Sequence, residues 1–319
     1  MVIDGNPIAM EGSIGISYAP CGAGDPDDLV SNADLAAYQA KAKGASAIQV
    51  FDDDLADWIE ERKSVERSVR SSLHNGEMEF HHQPVVRLSD GRPVMLEALA
   101  RWHHEERGLL GPDQFLPIIE ESHLIIEMGR WAIDEACRSL VEWPDLDISL
   151  AVNISGRHVI DGDLPGDLAQ ALDRTGAPPD RLVVELTERH LLDHLDVAAH
   201  RLDAVSDLGT RIALDDFGTG PSSLSCVRRL PVDLVKVDRT FVAGLTEGSV
   251  QARLLGFIQD LAETLGIEVV AEGVETETQA DLVAQLGCPM MQGYHVARPM
   301  PAADVPDWVE RHTNRTMSP

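Results

Sequence analysis

The sequence predicts an α/β fold, a (β/α)₈ barrel, for the part of the chain after residue 76. Short apolar segments alternate with longer amphipathic ones eight times over roughly 240 residues, which is the size and rhythm of such a barrel. Polar residues follow most of the apolar segments, at the end where barrels build their active sites. An open doubly wound sheet is the alternative, but no Gly-x-Gly-x-x-Gly run follows an early strand.

The predicted strands are the eight short apolar segments. They are Phe80–Leu88, Val94–Leu99, Ile148–Val152, Leu182–Leu186, Arg211–Leu214, Leu234–Val237, Glu268–Ala271 and Met290–Gly293. Apolar residues at helical spacing predict helices between these strands. The clearest helical segments are Pro117–Trp131, Leu168–Asp173, Val197–Leu208 and Ala252–Leu265.

The region before the barrel is predicted to be strand, helix, strand and a long helix. The first three are Ser13–Tyr18, Leu29–Ala42 and Ala45–Phe51. This stretch is too short for a good core of its own, so we expect it to be the tail of a larger domain. The long helix, Leu55–Leu73, carries a regular apolar stripe and is either an ordinary surface helix or an interdomain connector.

Composition excludes several classes of protein. Lys and Arg number 26 against 54 Asp and Glu, a formal net charge of −28, which disfavours binding to a nucleic acid polymer. No apolar stretch approaches a membrane span, and the first residues lack the features of a secretory signal. Cys21, Cys137, Cys226 and Cys288 are far apart, which predicts neither a zinc cluster nor a disulfide framework and favours a reducing cytoplasm.

Polar residues placed at the ends of the predicted strands are the candidate site. They are Glu97, Asn153, Glu185, Asp215, Asp216, Lys236, Glu272 and Gln292. Any one carboxylate there is typical of a helix cap or a loop. Five carboxylates at one barrel mouth would repel each other without cations, and oxygen ligands without Cys favour Mg²⁺ or Mn²⁺ over Zn²⁺. The ligand number predicts two cations that share a carboxylate.

Two cations beside a lysine fit hydrolysis of a phosphodiester by an activated water. Lys236 would then hold the water or neutralise developing charge, or act as a base if burial lowered its pKa. A Schiff-base aldolase and an enolase-type metal site use similar residues. The number of carboxylates disfavours the aldolase, but spacing alone does not separate the enolase type from phosphodiester hydrolysis.

An ordered series of motifs resembles the EAL family of cyclic di-GMP phosphodiesterases. The motifs are Gln83-Pro84-Val85-Val86, Glu97-Ala98-Leu99-Ala100-Arg101-Trp102, Val152-Asn153-Ile154-Ser155, Glu185-Leu186-Thr187-Glu188, Asp215-Asp216-Phe217-Gly218-Thr219-Gly220, Lys236-Val237-Asp238, Ala271-Glu272-Gly273-Val274-Glu275 and Gln292-Gly293-Tyr294. They are collinear with the family pattern over about residues 66 to 310, which makes the resemblance specific.

The resemblance implies a modified barrel whose first strand is antiparallel, and hydrolysis of cyclic di-GMP to linear pGpG with two Mg²⁺ or Mn²⁺. It implies that six residues bind the metals: Glu97, Asn153, Glu185, Asp215, Asp216 and Glu272. The catalytic residues it implies are Lys236, Glu97, Asp216 and Glu272. It implies substrate contacts for Gln83, Arg101 and Gln292, and control of the loop after Asp216 by Glu188, Phe217, Gly218 and Glu275.

The same resemblance implies a homodimer through the barrel domain. The lack of an apolar span predicts no membrane contact from this chain. The main alternative is a cyclic di-GMP receptor with little turnover, although none of the implied metal or water-handling residues is missing. Pro221 stands where the family commonly has an aromatic residue.

The N-terminal region resembles the last third of a GGDEF (diguanylate cyclase) domain, through Ser13-Ile14-Gly15 and Ala33–Lys41, without the cyclase signature. The expected organisation has four parts. These are a GGDEF-like part over 1–53, a connecting helix over 54–76, the EAL domain over 77–312 and a tail over 313–319.

Overall fold

The computed structural model describes most of the chain. The described residues are 2–3, 6–7, 12–19, 25–42, 47–187, 191–219 and 223–315. They form two compact units, Met1–Ser68 and Val69–Pro319, and the boundary between the units lies inside a helix.

The N-terminal unit holds two small sheets and a helix. Its elements are β1 (Val2–Ile3), β2 (Asn6–Pro7), β3 (Ile14–Ile16), α1 (Pro26–Ala42), β4 (Ile48–Val50) and the first part of α2 (Asp53–Asn75). β3 and β4 pair in parallel, and β1 and β2 pair antiparallel. Gly15 lies against α1 so closely that a Cβ there would collide with the Ala33 carbonyl oxygen. Ala36, Leu55 and Ile59 form a small buried cluster.

The C-terminal unit is built on one large sheet. Its strands are β5 (Met78–Arg87), β6 (Pro93–His104), β7 (Gly108–Leu110), β8 (Ser149–Asn153), β9 (Leu182–Thr187), β10 (Arg211–Phe217), β11 (Leu234–Val237), β12 (Glu268–Ala271), β13 (Met290–Gln292) and β14 (Met300–Pro301). Eight of them close into a barrel in the order β5, β6, β8, β9, β10, β11, β12, β13 and back to β5. β5 is antiparallel to both neighbours while the other pairs are parallel, so the modified barrel is confirmed.

Helices connect the strands and cover the barrel. They are α3 (Leu116–Ile119), α4 (Leu124–Glu142), α5 (Gly156–Asp161), α6 (Leu164–Thr175), α7 (Leu195–Asp207), α8 (Ser223–Arg229), α9 (Val250–Leu265), α10 (Glu277–Gln285) and α11 (Val305–Arg315). The predicted helix Pro117–Trp131 is wrong as one element, because it is split between α3 and α4. The Ser122 hydroxyl accepts the Leu124 N–H, a local bond that competes with a continuous helix.

One apolar side chain from every barrel strand meets in the interior. These eight buried residues, which we call the apolar ring, are Val85, Met95, Ala151, Val183, Ala213, Leu234, Val270 and Met290. Layers of inward-facing branched and long apolar side chains are how such barrels fill their interior, so the barrel is a packed core and not a pore.

The described residues bear on two further features, membrane-spanning helices and disulfides. No helix in the described part of the chain is long and apolar enough to cross a membrane. Cys137, Cys226 and Cys288 are buried and form no disulfide, whereas Cys21 lies outside the described residues.

Candidate active site

A second ring of side chains lies two residues farther along every strand, toward the barrel mouth. We call it the polar ring: Gln83, Glu97, Asn153, Glu185, Asp215, Lys236, Glu272 and Gln292. On β5, which is antiparallel, the step of two runs backward from Val85 to Gln83. Because side chains alternate across a strand, residues two apart share a face. The structure therefore brings together all the predicted strand-end residues except Asp216, whose position has a separate cause.

Several strands extend farther than expected. The strand predicted over Val94–Leu99 continues to His104, so Glu97 lies in the interior of β6 and not near its end. The extension pairs with β5 and β7, so Arg101 and Trp102 belong to a hairpin wall beside the mouth. The polar character of this stretch hides its strand period in the sequence.

Lys236 is the centre of the site. Its side chain has no solvent exposure, and its Nζ lies 2.8 Å from Glu272 Oε1, 3.0 Å from Glu97 Oε2 and 3.1 Å from Glu185 Oε2. Asp215 Oδ1 is 3.6 Å from the same nitrogen. One ammonium group thus faces four carboxylates from four different strands.

Glu97 receives more donors than any other carboxylate here. Besides Lys236, Asn153 Nδ2 donates to its Oε1 at 2.8 Å and Gln292 Nε2 donates to its Oε2 at 2.7 Å. Burial alone raises the pKa of Glu97, but Lys236 and these hydrogen bonds outweigh burial and lower it. Glu97 is the carboxylate that the site holds most firmly as an anion.

The other carboxylates are destabilised as anions. Burial, together with neighbouring carboxylates, raises the pKa of Glu185 well above its ordinary value and that of Glu272 to about 8. Burial also raises the pKa of Asp215, and burial with Asp215 and Asp238 nearby raises that of Asp216. These groups need protons or cations to share the mouth.

The carboxylates have the opposite effect on the lysine. Burial tends to lower the pKa of Lys236, but the surrounding carboxylates outweigh it and raise that pKa well above its ordinary value. The earlier alternative of a lysine base with a lowered pKa is therefore wrong for this arrangement.

A β-bulge brings Asp216 to the cluster. Between Leu214 and Phe217, β10 advances three residues while its partner β11 advances two. Asp216 consequently adopts a positive φ of 54°, rare for a residue other than glycine, and its N–H donates to Asp215 Oδ1 at 2.9 Å. Consecutive residues of a regular strand would face opposite sides, so the bulge is what allows both aspartates to join the site.

The acidic groups fit divalent cations. Oxygens of Glu97, Glu185 and Asp215 lie within 4.8 Å of one another, and so do those of Asp215, Asp216 and Glu272. Glu185 Oε1 is buried and has no hydrogen-bond partner within the described part of the chain, a costly state for a carboxylate oxygen unless a cation binds it. The all-oxygen donor set suits Mg²⁺ or Mn²⁺, and Asp215 belongs to both groups, as expected of a shared ligand.

Two cavities adjoin the acidic cluster. One, of about 580 Å³, is lined mainly by apolar residues such as Phe80 and Met128, and the other measures about 520 Å³ and includes Arg239 and Tyr294. Both are lined by Asp113, which lies in a short 3₁₀ helix, Pro112–Gln114. It was not among the predicted site residues because it does not follow a strand pattern.

Of the three residues with expected substrate contacts, two line the second cavity, whereas Arg101 is among the lining residues of neither. Arg101 is half-buried on β6 and donates one N–H to the Ala100 carbonyl, so its five-donor guanidinium keeps others for a ligand. Gln83 and Gln292 line the second cavity and are bonded to each other.

The turn after Asp216 packs tightly. Phe217 is buried, and Gly218 has a φ of +94°. A Cβ on Gly218 would lie 2.7 Å from the Phe241 ring, so only glycine fits there. Glu275 lines the second cavity, and its N–H donates to Gln279 Oε1 at 2.8 Å. Glu188 and Pro221 lie outside the described residues.

Fold and site together define a (β/α)₈-barrel protein with an acidic, lysine-centred site at the carboxyl ends of its strands. A family model described as "EAL domain" matches residues 66–299. The chain therefore belongs to the EAL family, as its motifs indicated.

Two named relatives align with more than nine-tenths of this chain. The bifunctional diguanylate cyclase/cyclic di-GMP phosphodiesterase MucR of Pseudomonas aeruginosa is 36% identical over 303 residues, 94% of this chain and 44% of that protein. Cyclic di-GMP phosphodiesterase PdeR of Escherichia coli is 35% identical over 95% of this chain and 46% of its own length. The chain thus spans less than half the length of these relatives.

Solved structures show the same fold. The PaMucR phosphodiesterase in complex with c-di-GMP matches with a TM-score of 0.72 and 38% identity, covering 76% of this chain and 99% of that one. The EAL enzyme Bd1971, bound to cAMP and cyclic di-GMP, matches with a TM-score of 0.74 and 30% identity over 78% of this chain and 69% of that one.

Proposed function

We propose that this chain hydrolyses cyclic di-GMP to linear pGpG at the polar ring. The observation that carries the proposal is the convergence of four carboxylates on one buried lysine, with Asp216 next to them and two cavities adjoining the cluster. Two supports come from the comparisons: relatives that align over more than nine-tenths of this chain are named cyclic di-GMP phosphodiesterases, and a similar structure is a c-di-GMP complex.

Two Mg²⁺ or Mn²⁺ ions complete the proposed site. Glu97, Asn153, Glu185 and Asp215 would hold one, while Asp215, Asp216 and Glu272 would hold the other. When bound, such a pair supplies an activated water and neutralises charge on phosphoryl oxygens. Cation binding displaces the protons that these carboxylates hold and relieves the repulsion between their charges. Because fewer protons compete with the cations at higher pH, cation binding becomes stronger as pH rises.

Lys236 acts as a fixed cation in this proposal. Because its neighbours keep it protonated, it donates hydrogen bonds instead of accepting a proton. Its position on β11, between the strands that carry Asp215 and Glu272, suits it to hold the attacking water and to neutralise developing negative charge.

Arg101 and the two cavities would bind the substrate. A guanidinium presents paired donors that match phosphate oxygens, and Arg101 lies four residues beyond Glu97 on the same face of β6. A cyclic dinucleotide has two bases, and the two cavities that adjoin the acidic cluster offer room for both.

Incubation of the purified chain with cyclic di-GMP in Mg²⁺, Mn²⁺ or EDTA, followed by nucleotide chromatography, tests the proposal. We expect linear pGpG with either metal and unchanged substrate in EDTA. Cyclic di-GMP that binds but stays intact in every condition would contradict turnover and support the receptor alternative. Failure to bind any cyclic dinucleotide would contradict both.

We also propose a homodimer through α9. Its outer face carries an apolar stripe in which Val250, Leu254 and Phe257 are 57%, 45% and 61% exposed. A stripe with spacings of four and three residues is typical of a helix that packs against another. On the inner face, Ile258 approaches Gly218, so a partner on α9 would bear on the turn after Asp216.

The mass of the protein in solution tests the dimer. We expect a dimer mass for the wild type and a monomer for Phe257→Arg. Val141→Arg, at a site 45% exposed on α4, is the matched control and should leave the mass unchanged. A wild-type monomer mass at every concentration would remove the proposal.

We propose that residues 1–53 are the C-terminal part of a GGDEF-like domain and that residues 54–76 connect it to the barrel, a segment that α2 occupies almost completely. Cysteine usage supports a cytoplasmic location.

A further inference from the structure

Two glutamine amides join the polar ring to a backbone carbonyl outside it. Gln83 Nε2 donates to the Ala297 carbonyl at 3.2 Å. Gln292 Nε2 donates to Gln83 Oε1 at 3.3 Å and to Glu97 Oε2 at 2.7 Å. The chain of hydrogen bonds runs from the segment after β13, through β5 and β13, to a carboxylate on β6.

The acceptors at the two ends determine which way both amides face. A backbone carbonyl only accepts, so Gln83 turns its NH₂ group to Ala297 and its oxygen to Gln292. Glu97 already takes hydrogen bonds from Asn153 and Lys236 and acts as an acceptor, so Gln292 turns its NH₂ group to it. Every link is satisfied in one direction only, and the reversed direction would set oxygen against oxygen at both ends.

This arrangement leaves Gln292 without an alternative orientation. Gln292 is 3% exposed, and its Oε1 is buried with no hydrogen-bond partner among the described residues. Gln83 stabilises the observed orientation of the Gln292 amide, because Gln83 Oε1 accepts a hydrogen bond from the same NH₂ group that donates to Glu97. Without that acceptor, a flip that brings the Gln292 oxygen toward Glu97 becomes less unfavourable.

We infer that Gln83 is a positioning residue: acting through Gln292, it orients Glu97 for cation binding. This inference rests on the proposed metal role of Glu97. It replaces the direct substrate contact that the family resemblance implied for Gln83. Residues behind a metal ligand typically contribute about 10- to 100-fold to metal affinity or activity by orienting it.

The anchor of the relay belongs to a pair of connected loops. The Val274 N–H donates to the Gln292 carbonyl, and the His295 N–H donates to the Val274 carbonyl, each at 3.0 Å. The segment that carries Ala297 is therefore tied to the loop that follows Glu272. A displacement of either loop would reach Glu97 through Gln83 without any contact between loop and metal.

Mn²⁺ affinity, measured by calorimetry on the full chain without substrate, tests the inference. We expect Gln83→Met and Gln292→Met each to weaken Mn²⁺ binding about 10- to 100-fold. The double variant should bind no more weakly than Gln292→Met alone, since both changes break one relay. Gln285→Met, at an exposed glutamine of α10, is the matched control and should bind as the wild type does.

A second variant separates the two bonds of Gln83. Gln83→Glu keeps an acceptor for Gln292 and loses the donor to Ala297, so it should retain more Mn²⁺ affinity than Gln83→Met. With cyclic di-GMP, Gln83→Met should lower kcat while KM changes little. Circular dichroism and thermal unfolding in EDTA verify that each variant is folded.

Unchanged Mn²⁺ affinity in Gln83→Met, or additive losses in the double variant, would overturn the inference. A raised KM with normal Mn²⁺ affinity would restore direct substrate contact instead. If the wild type binds Mn²⁺ but leaves cyclic di-GMP intact, the proposed function is wrong. The Mn²⁺ affinities of the variants would still test the role of Gln83. The two failures therefore have different readouts.

Discussion

The apolar ring and the polar ring lie one step apart inside the same barrel, on the same eight strands. The apolar ring fills the interior with uncharged side chains such as Leu234, which is 1% exposed. Two residues later, the polar ring places Lys236 among four carboxylates. Stability and chemistry therefore belong to different layers of the barrel. The apolar ring stabilises the barrel through packing, and the polar ring next to it can then hold charges whose burial is unfavourable.

The polar ring lowers the stability of the metal-free fold. Burial and mutual repulsion raise the pKa of Glu185, Asp215 and Glu272, so their anionic forms oppose folding until a cation arrives. Buried groups of this kind are retained for function and not for stability. Variants in the polar ring should therefore lower turnover while the fold is retained, and variants in the apolar ring should lower the free energy of unfolding while turnover is largely retained.

Glu97→Ala should abolish turnover while the barrel stays folded. The change removes a proposed metal ligand, and metal-ion catalysis supplies several kcal/mol, so a loss of about 4 kcal/mol corresponds to roughly 1,000-fold in kcat/KM. Steady-state kinetics with circular dichroism as the folding control measure it. Full activity in Glu97→Ala would show that the metal assignment is wrong.

Leu234→Ala should destabilise the fold while turnover by the folded protein is largely retained. Leu234 lies in the apolar ring, and truncation of a buried leucine destabilises a core by about 2–5 kcal/mol. The free energy of unfolding from urea titration measures the loss. Below the unfolding transition, kcat should change far less than in Glu97→Ala; a collapse of kcat in a folded Leu234→Ala would break the separation by layer.

Lys236→Met should lower kcat about 100- to 1,000-fold, the usual cost of removing a positioned donor from an active site. Substrate binding should survive, because neither cavity is lined by Lys236. The dissociation constant for cyclic di-GMP, measured beside kcat, separates the two effects. An unchanged kcat would remove the role proposed for this lysine.

Mn²⁺ should stabilise the protein by about 2.7 kcal/mol when its concentration is 100 times its dissociation constant. At one fixed Mn²⁺ concentration, the stabilisation should be larger at pH 8 than at pH 6. The folded, metal-free protein holds a proton on Glu272 up to about pH 8, whereas an unfolded chain loses it near pH 4.5. Metal-free stability therefore falls as pH rises through this window, while Mn²⁺ competes with fewer protons.

Thermal unfolding with and without Mn²⁺ at both pH values measures this smallest effect. Leu234→Ala should keep the Mn²⁺ stabilisation and its pH dependence, while Glu185→Gln should weaken both. Equal Mn²⁺ stabilisation in the two variants would mean that the cation binds elsewhere on this acidic protein.

Much of the candidate site could be predicted from the sequence because strand period is local. Apolar residues at one position and polar residues two later place Glu97, Glu185 and Lys236 on an inward face without knowledge of any partner. The extent of β6 could not be predicted in the same way. Its polar second half becomes a strand by pairing with β5 and β7.

The sequence by itself determined the eight strands, the order of the motifs and which side chains face the interior. Tertiary structure decided how those side chains meet. The bulge at Asp216, the four contacts of Lys236 and the relay from Ala297 to Glu97 all depend on contacts between separate segments of the chain, up to 214 positions apart. Local period sets the face of a residue, whereas distances across the barrel and the charge state of its groups arise only when the sheet closes and excludes water.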